Sequence, residues 1–327
     1  IRLSLVGSEM CIRDRSLRAD DLALGGALRG DAVQLTARAG DIAQSGGAIT
    51  AATLRAEASG EVRLDAAGNA IAAIAGRAGT VFRVRSSSAL VADDIGAQTV
   101  ALTAGGPITQ PATGHGIAAG LLTAEAQGAV ELLAPTNAIA ALGTVAAEGL
   151  VLRGGVALEL TAPLDLPWLD LRLGGGVTQR SGATVAAGTL RLEVLGDARL
   201  DHPGNRLPRV ALALASGDLD LGTEGSLGLE GLVRAGGVLR LTASDSIAQT
   251  DGRIEAPVLI AAATGGNVLL EQPGNLVSAA GGNAAGSWRL RSATTGTLDV
   301  AALIAAPDVV LVLGGGLAQG DGALRAD

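Results

Sequence analysis

The sequence predicts an all-β fold, a right-handed parallel β-helix (β-solenoid) with about three coils in each repeat of about 68 residues, and three observations predict it. A motif marked by glutamine returns along the whole chain. Within each return, apolar residues alternate with polar or small ones over short runs. Between the runs stand Gly, Asn and Pro.

The glutamines are Gln44, Gln110, Gln179, Gln249 and Gln319, nearly evenly spaced along the chain and each with an apolar residue two positions before it. Next come Ile49, Ile117, Val185 and Ile254, each followed two residues on by Ala and five on by Leu54, Leu122, Leu190 or Leu259. Leu64, Leu132, Leu200 and Leu270 then precede Asn69, Asn137, Asn205 and Asn275 by a constant five residues. Ile71, Ile139, Leu207 and Val277 close the register, and Phe82, Leu150, Leu219 and Trp288 mark a further shared position.

Runs such as Val62-Arg-Leu64 and Leu190-Arg-Leu-Glu-Val194 have a period of two, the pattern of half-buried strands. They end at turn signals such as Gly68-Asn69 and Pro203-Gly204-Asn205, where Gly and Asn tolerate positive φ. The alanine content would also suit an α-solenoid. That reading fails on glycine, which costs about 1 kcal/mol at each helix-interior position, and on Pro163 and Pro167 in one of the long glycine-free windows. Divided by three, the repeat gives about 23 residues per coil, within the range of solenoid repeats. Leu54, Leu64, Ile71, Leu122, Leu132, Ile139, Leu190, Leu200 and Leu207 should point into the core, and Arg55, Arg63 and Arg191 out of it.

Composition narrows the function. The 49 glycines and only three aromatics, Phe82, Trp168 and Trp288, leave Ala, Val, Leu and Ile to build the core. All 24 basic residues are Arg, and the net charge of −8 argues against nucleic acid or an anionic membrane as partner. Charges, Gly and Pro interrupt the apolar stretches before the roughly 18–20 residues that a membrane-spanning helix needs, so no membrane insertion is expected. The stretch 1–15 contains the only Met and Cys and resembles translated sequencing adapter; it is set apart as non-native. Residues 16–327 then read as a single β-helix fragment, incomplete at both ends, whose cut strand edges could associate end to end.

The succession Ile-x-Gln, Ile-x-Ala, Leu, Val-x-Leu and Asn-x-Ile over residues 17–327 resembles the repeats of filamentous-haemagglutinin-like exoproteins and autotransporter passengers. The resemblance implies a secreted or cell-surface bacterial protein, an outer-membrane transporter as export partner, and a host or neighbouring-cell glycan or protein as target. The function expected is that of a structural shaft or adhesin segment acting by extended, multivalent contacts. A delivery stalk for a toxin or effector is the alternative, and a β-helical carbohydrate-active enzyme is a third reading.

Chemistry that would support an enzyme is sparse, and no catalytic, cofactor-binding or metal residue is assigned. Asp65, Asp201 and Glu271 share a repeat position, but three coils would separate neighbours by about 14 Å, whereas paired glycosidase carboxylates stand about 5–9.5 Å apart. Those three read as solvated turns, while Asp93-Asp94 and Asp218/Asp220 are closer pairs whose functional reading would be a metal site, set aside because each lies near a Gly- or Ser-rich bend. His115 and His202 fall in turns without a nucleophile at useful spacing. The repeated Asn and Gln are expected to cap turns and to bond backbone left open at strand ends. Phe82 and Trp288 read as core fillers, with Trp168 the aromatic most open to solvent.

Overall fold

The computed structural model describes residues 2–3 and 14–326. Residues 1 and 4–13 of the segment set apart above lie outside the described residues. Its last two residues, Asp14 and Arg15, begin the strand Asp14–Ala19, which pairs in parallel with residues 32–37.

The chain forms two compact units that divide after Val156. Each is a parallel β-solenoid, and no helix occurs among the described residues. In the first unit Leu22, Ile42, Val62, Phe82, Val100, Leu122 and Leu142 stack on one another through successive parallel pairings. In the second, Val177, Ala198, Leu219, Leu239, Leu259, Ala280 and Val300 form an equivalent stack. All fourteen side chains are buried. Side chains alternate across a strand, so a period-two sequence places one residue of each pair in this column and its neighbour outside.

One coil shows how the side chains close around the core. Ile42–Gln44 forms one side, and the strand Ile49–Ala58 supplies two more because its pairing with Leu28–Ala37 skips Ala52 at a bend. Ile42, Ile49, Ala51, Leu54 and Ala56 all turn inward. The nine aliphatic residues assigned to the core from the sequence are at most 3% exposed, while Arg55, Arg63 and Arg191 lie outside with 42–53% of their side chains exposed. Each buried Leu or Ile contributes about 1.5–3 kcal/mol relative to an exposed one.

The coil is shorter than the sequence arithmetic suggests. In the two stacks just described each residue lies about 20 positions before its partner in the next coil, with the shortest step from Phe82 to Val100 and the longest from Val100 to Leu122. A repeat therefore runs through three coils and about a third of the next. Leu64 lies one coil after Gln44 by continuation of the Ile42–Val62 pairing, and the register Leu64–Val84–Leu102 completes three coils while still short of Gln110. The same holds in the second unit, where Leu241 stands as far before Gln249 as Leu102 does before Gln110. Successive glutamines within a unit thus occupy different sides of the coil.

Close stacking explains part of the glycine content. A Cβ on Gly76 would lie 1.8 Å from the Ala56 carbonyl oxygen, and one on Gly282 would lie 1.9 Å from that of Ala261; these residues have φ of +142° and +130°. At other bends a side chain from the preceding coil fills the space. The Asp21 carboxylate occupies the place of a Cβ on Gly40, Asp41 that on Gly60, and Asp197 that on Gly217.

Candidate functional site

The most ordered polar chemistry lies at the repeated Gln and Asn, which bind each other. Gln44 Nε2 donates to Asn69 Oδ1 and Asn69 Nδ2 donates to Gln44 Oε1, both at 2.8 Å. Gln110 pairs reciprocally with Asn137 at 3.0 and 2.8 Å, Gln179 with Asn205 at 2.6 and 3.0 Å, and Gln249 with Asn275 at 2.9 and 2.8 Å. Each Asn Oδ1 also accepts a backbone N–H, from Ile49, Ile117, Val185 or Ile254, at 2.7–2.8 Å. The four Asn side chains are fully buried. A primary amide offers two donors and an oxygen acceptor, and here both kinds of group are used.

The expected backbone bonds are present as well. Gln44 Nε2 donates to the Gly47 carbonyl, Gln110 Nε2 to that of His115, and Gln179 Nε2 to that of Ala183. The mutual pairing was not read from the sequence. Its signal was the nearly constant separation of 25–27 residues between the two series, which is one coil plus a turn.

A second repeated group also escaped the sequence reading. Ser86 Oγ accepts from the Ile71 N–H at 3.1 Å and donates to the Ile71 carbonyl at 2.9 Å, and Ser292 does the same for Val277 at 3.2 and 3.0 Å. Thr223 Oγ1 accepts from Leu207 N–H at 2.9 Å. In the remaining copy the position is Gly154, as far beyond Asn137 as Ser86 is beyond Asn69. These hydroxyls bond backbone groups that would otherwise pair with a strand in the next coil.

The acidic candidates do not assemble into a reacting pair. Asp65, Asp201 and Glu271 are exposed, and Asp201 and Glu271 are separated by more than three coils of the second unit. Different acids come into adjacent coils, and their carboxylates accept backbone N–H groups. Asp21 accepts from Asp41 at 3.0 Å, Asp41 from Glu61 at 2.8 Å, Asp197 from Asp218 at 3.0 Å, and Asp218 from Val238 at 2.8 Å. Asp220 is neutralised by Arg240, 3.1 Å away, and faces Arg199 at 4.0 Å. The guanidinium of Arg172 is raised above its usual range by its hydrogen bonds to Asp170, with burial opposing them.

The most unusual local geometry is at Asp93-Asp94. Pairing slips between Ala92 and Ile95, and Asp94 has a φ of 48°, the one positive value at a non-glycine residue among those described. Its carboxylate receives Arg55 at 3.2 Å and Arg77 at 2.9 Å. Glu57 first, and then Asp94, raise the Arg55 guanidinium above its ordinary value against the opposing effect of burial. Asp93 Oδ1 is buried without a hydrogen-bond partner and packs against Gly114. A groove of about 620 Å³ leads from Asp93 across Ile74, Leu54 and Val33, with Arg55 and Gln34 on its walls and Asp14 and Arg15 at its other end.

The remaining candidates are structural. His115 is exposed and contributes its carbonyl to Gln110, while His202 Nδ1 accepts from Gly204 N–H at 3.0 Å within its turn. Phe82 and Trp288 are fully buried, and Trp288 Nε1 donates to the Ala261 carbonyl at 3.1 Å. Trp168 is half-buried. Among the described residues no three His, Cys, Asp or Glu side chains stand together as metal ligands would, and no helix is long and apolar enough to cross a membrane.

Searches among curated proteins and among solved structures give no match. A family described as repeats of unknown function (DUF5649) matches residues 13–76 and 147–213, two stretches that lie two repeats apart in the register of the glutamines, and over them the chain is similar to that family.

Proposed function

We propose that the chain is a structural shaft or adhesin segment of a large secreted bacterial surface protein, acting through extended and multivalent contacts. The observation that carries this reading is the use of the polar side chains. The buried amides, the repeated hydroxyls and the turn carboxylates bond from coil to coil, and most outward arginines are paired with acids. Such groups hold a scaffold in register and present no cluster poised for chemistry. Export to the cell surface rests on the resemblance of the repeats, as does a glycan or protein on a host or neighbouring cell as target.

Individual contacts on a surface poor in aromatic anchors should be weak, so useful attachment should come from many copies together. The test compares the chain as a monomer with the chain displayed densely on beads, both presented to cultured cells and to arrayed glycans. Bead binding with feeble monomer binding is expected, and a tight monomeric complex with a small sugar would overturn the reading. Leu317 and Leu324 are 48% and 42% exposed in the strands Leu317–Ala318 and Leu324–Arg325, where both residues of each strand are exposed, and end-to-end self-association is proposed on that ground. Sedimentation at rising concentration should show growing species; a strictly monomeric chain would refute the self-association.

A further inference from the structure

We draw no further inference here: the strongest candidate, the groove of about 620 Å³ that crosses the first unit from Asp93 over Ile74, Leu54 and Val33, carries nothing because nothing in the structure shows what covers it and Asp14 and Arg15, which close its far end, belong to the segment set apart as non-native.

Discussion

The Asn69 and Asn137 junctions have the same sequence register and distribute their hydrogen bonds differently. At Asn69 the amide Nδ2 donates to Leu64 O in its own coil, and Ser86 bonds both backbone groups of Ile71. At Asn137 the corresponding serine is Gly154, and Nδ2 donates instead to the carbonyl of Arg153, the residue just before that glycine. The Gln partner and the N–H accepted by Oδ1 are the same in kind at both. The difference teaches that the Gln–Asn pair is the constant part of the junction. The hydroxyl is an accessory that one copy lacks, and in that copy the amide hydrogen turns toward the next coil.

The largest effect expected is from the constant part. Replacing Asn137 by Leu removes the acceptor of the Ile117 N–H and both bonds to Gln110. Each buried group left unsatisfied costs about 1–3 kcal/mol, so urea titration should register a loss of about 3 kcal/mol or more. Asn69→Leu should cost a similar amount, and a loss below about 1 kcal/mol at either site would break the claim that the pair is the essential element. Ser86→Ala should cost less, about 1–2 kcal/mol, with hydrogen exchange accelerated at the Ile71 amide and unchanged at Ile49. Faster exchange at both amides would mean that hydroxyl and amide pair act as one unit.

The next test sharpens the comparison from the other side. Gly154→Ser places a hydroxyl where Ser86 stands, and a gain of about 0.5–1 kcal/mol is expected from one added hydrogen bond. A loss would show that the bond from Asn137 to Arg153 already occupies the space. The smallest effect belongs to Arg63→Ala. Arg63 is half exposed and pairs with Glu61 at 2.5 Å, and exposed ion pairs contribute about 0–1 kcal/mol. A loss as large as that of Asn137→Leu would contradict the assignment of strand faces.

Much of the coil was legible in the sequence because burial imposes a strict rule on it. A strand slipped by one residue would expose Leu64 and bury Arg63, so the alternation has to be written into the chain. The recurrence of Gln and Asn was legible for a related reason, since a buried amide needs its partner at each return. The coil length was not, because dividing the repeat by a whole number assumes that the motif comes back to the same side. Nothing in strand pairing requires that. The Ser86 hydroxyl was hidden by its variation to Thr223 and Gly154, and the Asp93-Asp94 bulge by the absence of any other copy. The turn carboxylates were hidden in another way, because Asp41 and Asp21 meet only through a coil period that the longer repeat obscures.

The third of a coil left over in each repeat makes the chain behave like a screw thread with a three-start index. Duplicating one repeat within a unit would add three coils and about a third of another and re-aim every side chain beyond it by one of the three sides of the coil. The core would still close, because each side accepts the same parallel pairing. Three duplications, about ten coils, would bring the original orientation back. Growth or loss of repeats would therefore change which way a surface feature faces before it changed anything about the fold.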